Sequence, residues 1–342
     1  LYHASGATPD LEVLRRMVAA LEHRGPDGTG FHVEQGVGLG HARLSIIDLS
    51  RGAQPIHNET KDVWITYNGE VFNYVELRRM LEARGHRFYT STDTEVIVHL
   101  YEELGDRFLE ELNGQFAFAL WDGRRKRLVL VRDRAGILPL YYARIGDDFI
   151  FASEVKAILA SGYVDAALDA NGLDELMTFW APVAPRTVFR GINQLGPGEV
   201  LILEEGRETR RPYWRWQFPA AGEHRRGDER ALRDELSALL GDAIAIRLRA
   251  DVPVGAYLSG GLDSSSLVAL LKERLPHTLQ TFSIGFDDAG LDESTHQRTV
   301  VDHLRTTHHH VQCTLSDIAR VFPKTIRHSE SPVLRTAPAP MH

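Results

Sequence analysis

The chain has 342 residues, which at about 100–200 residues per domain predicts two domains. Hydrophobic residues make up 43% and charged residues 25%, so long-range disorder is excluded. Asp and Glu number 47 against 39 Lys and Arg, a net charge of −8 that argues against a protein built to neutralise nucleic-acid phosphates. There is no apolar run of about 18 residues to span a membrane, and the first residues lack the charged and apolar regions of a signal peptide. One cysteine, Cys313, excludes a disulfide framework and any multi-cysteine metal site, and points to a reducing cytoplasm.

Asp10 stands before an amphipathic run and predicts a capped helix from Leu11. A β-branched and aromatic strand is expected over 63–67, ending at Asn68-Gly69. Helices follow over 73–84, with Leu77, Met80 and Leu81 on one face, and over 94–104. Strands over 116–121 and 127–131 flank a turn at Asp122-Gly123, and another strand spans 149–152. Many strands with few long helices between them predict a mostly antiparallel α+β domain over residues 1–205. Residues 206–228 are polar and punctuated by Gly and Pro, so a linker is expected there, with Trp214 and Trp216 packing at the domain junction. From 229 the rhythm changes. Helices over 229–248, 265–274 and 292–304 alternate with strands over 254–258, 281–284 and 309–312. That alternation predicts an α/β doubly wound parallel-sheet domain over 229–342.

Ser259-Gly260-Gly261-Leu262-Asp263-Ser264-Ser265 falls between the first of those strands and its helix. Glycines let a backbone approach an anion, and the helix presents its first amides. Ser259 and Ser264 add hydroxyl donors, and Asp263 can hold Mg²⁺ on a phosphate. Neither the Walker A pattern nor the dinucleotide glycine pattern is present. The string resembles the pyrophosphate loop of ATP pyrophosphatases, which cleave ATP between the α- and β-phosphates. That resemblance also implicates Leu258 and Ile284 at the nucleotide.

The first half carries His23-Arg24-Gly25-Pro26-Asp27, Arg43-Leu44-Ser45-Ile46-Ile47-Asp48, Tyr67-Asn68-Gly69-Glu70 and Ser91-Thr92-Asp93-Thr94-Glu95. Asp133-Arg134-Ala135-Gly136-Ile137 belongs with them. Together these strings resemble class II glutamine amidotransferases, whose fold is the N-terminal-nucleophile sandwich of two sheets between helices. With the pyrophosphate loop behind them, the chain resembles the glutamine-hydrolysing asparagine synthetase family of the B type. The resemblance implies glutamine, aspartate and ATP as substrates, Mg²⁺ as cofactor, and a homodimer as the assembly. It implies a β-aspartyl-AMP intermediate, with AMP and pyrophosphate released.

Within that resemblance, Arg43 can take the substrate carboxylate bidentately, and Asp93 and Glu70 can take its ammonium group. The Asn68 amide and the Gly69 N–H can stabilise the oxyanion. Two plainer readings stand beside these. Arg43 and Asp93 could form a structural ion pair, and Asn68-Gly69 is a strong hairpin-turn dipeptide. The family's nucleophile is an N-terminal cysteine whose own amine serves as base. Residue 1 is Leu, so about six residues are expected ahead of it, and the second nucleotide turn of the family is expected beyond His342. His308-His309-His310 lies on a predicted strand, where alternating faces prevent convergence on one ion. Two alternatives remain: an amidotransferase acting on another carboxylate in polysaccharide or antibiotic synthesis, or a non-catalytic nucleotide-binding relic.

Overall fold

The computed structural model describes residues 1–275, 279–288 and 290–342. They divide into two compact units, Leu1–Phe218 and Pro219–His342.

The strands of the first unit are β1 (Gly28–Glu34), β2 (Val37–Arg43), β3 (Ile56–His57), β4 (Val63–Val71), β5 (Gly114–Asp122) and β6 (Arg127–Arg132). They continue with β7 (Tyr141–Ile145), β8 (Asp148–Ala152), β9 (Ile192–Gln194), β10 (Glu199–Glu204) and β11 (Arg207–Pro212). Its helices are α1 (Leu11–Ala19), α2 (Tyr74–Ala83), α3 (Asp93–Leu104), α4 (Phe108–Glu111), α5 (Val155–Ala160) and α6 (Ala170–Phe179).

One antiparallel sheet runs β11-β10-β6-β5-β4-β3. The second combines the β1-β2 hairpin with β8-β7-β9, joined by Tyr2, which bridges both Val37 and Phe149. Side-chain alternation builds the layers. Along β5, Phe116, Phe118 and Leu120 face one way, into a core shared with Leu81 of α2 and Val96, Ile97 and Leu100 of α3. Ala117, Ala119 and Trp121 face the other way, into a core with Leu39, Tyr142, Phe149 and Phe151 of the second sheet. The far side of that sheet packs Ala143 and Ile150 under Val13, Leu14 and Met17 of α1 and Ile158 of α5. The result is two sheets between helices, the sandwich that the motif strings imply. The central strands lack a polar face because both faces are covered.

The second unit contains α7 (Glu229–Arg247), β12 (Gly255–Tyr257), α8 (Leu262–Arg274), β13 (Gln280–Phe286), α9 (Ser294–Leu304), β14 (Thr307–Cys313) and α10 (Leu315–Ser329). β12, β13 and β14 pair in parallel in that order. Parallel neighbours need long crossovers, and α8 and α9 supply them. Leu258, Val268 and Leu279 form its small core.

Two expectations are corrected. Asn68-Gly69 does not end its strand: β4 runs on to Val71, with Asn68 opposite Ala117 and Gly69 opposite Phe116. A Cβ at 69 would stand 2.2 Å from the Gln115 carbonyl oxygen, so glycine serves close strand approach here, not a turn. The stretch 206–228 does not begin as linker. Arg207–Pro212 is β11, paired along its length with β10, because the Glu205-Gly206 corner closes a hairpin. Trp214 and Trp216 meet edge to face at 4.7 Å, and Trp216 then stacks on Phe218.

Candidate functional site

A cavity of about 430 Å³ opens in the first unit. Arg43, Asn68, Gly69, Glu70 and Asp93 all line it, so the residues singled out for glutamine from three separate strings converge on one place. Its size falls within the usual range for small-molecule sites.

Arg43 ends β2. Its guanidinium donates to the carbonyls of Ile47, Asp48 and Leu49, at 2.6 Å for Asp48. These acceptors fix the fork and leave its charge uncompensated by any carboxylate among the described residues. No ion pair joins it to Asp93, so the structural-pair reading fails. The surrounding glycines are steric requirements. A Cβ at Gly52 would reach 2.4 Å from Arg43 Nη2, and one at Gly25 would reach 2.2 Å from the Ala42 carbonyl carbon. Asp27 accepts from the Ser45 amide and pins the loop after Arg43.

The Asn68 Nδ2 atom is buried and donates to nothing. An orphaned amide donor in a cavity wall costs about 1–3 kcal/mol unless a ligand acceptor meets it. The adjacent Gly69 has φ 144, a conformation that favours glycine, and its bare backbone packs against Phe116.

Asp93 opens α3, whose N-cap is Thr92. Its carboxylate accepts from the Tyr67 hydroxyl and the Val71 amide, both at 2.9 Å. Burial raises its pKa, and the hydrogen bonds from Val71 and Tyr67 work against that rise. His41, on the same wall, is held neutral: burial, helped by Arg43, pushes its pKa down to about 4.

Three supports had no role assigned from sequence, although Asp133 heads one of the family strings. Glu154 is buried and joins His23, Arg24 and Lys156, which anchors the loop bearing Gly25. Asp133 is buried and accepts from the amides of Phe116, Ala135, Ile137 and Leu138, which turns the chain after β6. Gln297 is buried on α9 and donates to the carbonyls of Ser259 and Ile284.

In the second unit, Leu258 is buried at the end of β12, with the serine–glycine loop next. Ser259 Oγ meets Ser264 Oγ at 2.9 Å and accepts from the Gly261 amide. Gly260 has φ 89, and a Cβ there would stand 3.0 Å from the Gln297 amide nitrogen. Gly261 caps α8, whose first turn carries Asp263, exposed and without a polar partner among the described residues. Ile284 lies on β13, beside Val311 of β14. These residues form a small polar cradle at the carboxyl ends of parallel strands, where ligands bind in such sheets. The histidine tract behaves as alternation predicts: His308 meets Thr281 while His309 stacks on Phe282. Cys313 ends β14, and burial raises its thiol pKa.

Residues 3–214 match the glutamine amidotransferase domain family, and residues 235–342 match the asparagine synthase family. Asparagine synthetase [glutamine-hydrolyzing] 1 of Bacillus subtilis is 34% identical over 99% of the chain, which spans 53% of that protein. Putative asparagine synthetase [glutamine-hydrolyzing] 2 of Methanocaldococcus jannaschii is 37% identical over 92% of the chain and 64% of its own length. Amidase chyE of Penicillium rubens is 34% identical over 94% of the chain and 50% of its own length. The chain therefore spans roughly half to two thirds of the curated relatives it matches. Among solved structures, a glutamine phosphoribosylpyrophosphate amidotransferase from B. subtilis aligns over 88% of this chain and 78% of its own. The identity is 17% and the TM-score 0.44.

Proposed function

Because this chain belongs to the glutamine amidotransferase family and carries asparagine synthase sequence behind that domain, we propose that it moves the amide nitrogen of glutamine onto an ATP-activated carboxylate. The acceptor in this reading is aspartate and the product asparagine. The observation that carries it is the convergence of Arg43, Asn68, Gly69, Glu70 and Asp93 on one cavity.

Arg43 binds the glutamine α-carboxylate, and Asp93 with Glu70 binds the α-ammonium. The attacking thiolate comes from a cysteine ahead of Leu1, as in the family, and Leu1 itself lines the cavity. Attack on the side-chain amide places negative charge on its oxygen. Asn68 Nδ2 and the Gly69 N–H receive that charge. Ammonia leaves, and water releases glutamate from the thioester. In the second unit, Ser259, Gly260, Gly261 and Ser264 cradle the pyrophosphate of ATP, with Leu258 and Ile284 beside the nucleotide. The Asp263 carboxylate suits Mg²⁺, which would disperse charge on the departing pyrophosphate. The aspartate carboxylate attacks the α-phosphorus and expels pyrophosphate, and ammonia then displaces AMP. A cytoplasmic setting suits these soluble substrates. No helix among the described residues is long and apolar enough to cross a membrane.

The test supplies the full-length protein with glutamine, aspartate and Mg-ATP. Glutamate, asparagine, AMP and pyrophosphate should appear in equal amounts. The relative named an amidase favours a second reading, with the same two half-reactions on a different carboxylate. ATP–pyrophosphate exchange that ignores aspartate but answers to another carboxylate would select it.

A further inference from the structure

Four side chains outside the glutamine cavity meet in the first unit. Glu59, His86, His99 and Glu102 each bring one donor atom within 4.8 Å of the others. Glu59 sits between β3 and β4, and His86 follows α2. His99 and Glu102 are three residues apart on α3, hence on one helix face. His99 is fully buried, and its Nδ1 makes no hydrogen bond. Glu59 Oε2 lies 3.3 Å from it and Glu102 Oε2 3.5 Å, yet neither approach has hydrogen-bond geometry. Glu102 Oε2 is likewise buried without a hydrogen-bond partner. A basic nitrogen and a carboxylate oxygen are thus orphaned toward the same point.

The outward atoms are all held. His99 Nε2 meets Glu95 Oε1 at 3.4 Å, and the buried Glu95 carboxylate is itself fixed by the amides of Tyr89 and Thr90. In the neutral ring that contact would put the proton on Nε2 and leave Nδ1 as the lone-pair nitrogen. His86 Nε2 faces Glu103 at 3.4 Å while its Nδ1 faces Glu59 at 3.7 Å. Glu59 Oε1 accepts from the Arg87 amide, and Glu102 Oε1 accepts from Asn58 Nδ2, both at 2.8 Å. Outer carboxylates and amides of this kind orient the ligands of metal ions. With bonds of about 2.0–2.2 Å, a tetrahedral zinc site spaces its ligand atoms roughly 3.3–3.6 Å apart, as the two approaches to His99 already do.

The geometry points to a closed, four-ligand site for one divalent transition-metal ion of the zinc class, formed by Glu59, His86, His99 and Glu102. Two imidazoles and two carboxylates suit such an ion. It would tie the β3–β4 turn and the segment after α2 to α3, a structural staple apart from the glutamine cavity. A proton is the competing occupant. Burial works against charge on His99, but Glu102, Glu95 and Glu59 outweigh it and push its pKa up to about 9.

Co²⁺ is the probe, titrated into chelator-treated, dialysed chain. One equivalent should bind with the intense visible bands of tetrahedral coordination, and Zn²⁺ should displace it. Glu59→Gln and His86→Gln, both away from the fully buried ring, should each abolish those bands. Glu103→Gln keeps all four ligands and should weaken binding roughly 10–100-fold. Wild-type chain that shows no tetrahedral bands overturns the site and leaves the cage to a proton. Bands that persist in both ligand variants place the ion elsewhere and overturn it equally.

Discussion

The Tyr67 hydroxyl donates to Asp93 Oδ2 at 2.9 Å, tying the middle of β4 to the first residue of α3. The same carboxylate oxygen takes the Val71 amide, so both contacts stabilise the charged form against the cost of burial. Burial prevails, and the Asp93 pKa is raised. The folded state therefore holds the Asp93 proton more tightly than the unfolded chain. Its contribution to stability falls as pH rises from the ordinary carboxylate range through the raised value. The proposed role of Asp93 in glutamine binding has the opposite demand, because only the carboxylate attracts an ammonium group. Tyr67→Phe removes one donor and should raise the Asp93 pKa further. The acid limb of glutamine kcat/KM should then move toward neutral pH. Superimposable acid limbs in wild type and variant would separate Asp93 from ammonium binding.

Arg43→Ala removes the guanidinium fork proposed to hold the carboxylate and frees the carbonyls of the buried Ile47 and Asp48 and of the exposed Leu49. Truncating one side of a hydrogen-bonded charge pair costs about 2–5 kcal/mol, or thirtyfold and more in KM for glutamine. Ammonia-dependent synthesis should be nearly unchanged. A variant that loses both activities together with its fold would make Arg43 a structural residue.

Much of this was legible because the motif strings are local and their chemistry is specific. Arg43, Asn68, Gly69 and Asp93 are far apart in sequence and still share one cavity. The errors came from local signals that tertiary packing overrode. Asn68-Gly69 has the composition of a turn, but the ladder runs on to Gly114 opposite Val71, where a Cβ would stand 2.3 Å from the Glu70 carbonyl oxygen. Two glycines let β4 and β5 approach, so the strand continues. Likewise the polar run Arg207-Glu208-Thr209-Arg210-Arg211 looks like linker, yet an edge strand needs apolar residues on neither face when β10 supplies its backbone partners. Glu154 was missed because a lone carboxylate has no period, and Asp133 was quoted in its string without a role. Only the fold shows that four amides converge on Asp133. The Glu59–His86–His99–Glu102 cluster escaped for the same reason, since it is assembled from three separate elements.

Asn68→Ala tests the oxyanion assignment. The Nδ2 atom has no partner to lose, so the substitution should leave stability close to wild type. Its cost should fall on the transition state. Loss of one oxyanion donor lowers kcat roughly 10²–10³-fold, with KM for glutamine little changed. If KM rises and kcat holds, Asn68 binds the ground state and the oxyanion is stabilised elsewhere.

Asp263→Ala separates the two half-reactions. Asp263 stands in the first turn of α8, behind a loop shaped by the Ser259–Ser264 contact and the Gly260 conformation. Its carboxylate is exposed and makes no polar contact among the described residues, so removing it should not unfold the unit. If it holds Mg²⁺ on pyrophosphate, the variant should lose aspartate-dependent ATP–pyrophosphate exchange. Glutamine hydrolysis should persist, because none of the described residues assigned to it lies in the second unit. Raising Mg²⁺ should restore part of the exchange if the metal alone has been weakened. Exchange near the wild-type rate at ordinary Mg²⁺ would remove Asp263 from the nucleotide site. The serines and the α8 amides would then carry the pyrophosphate without it.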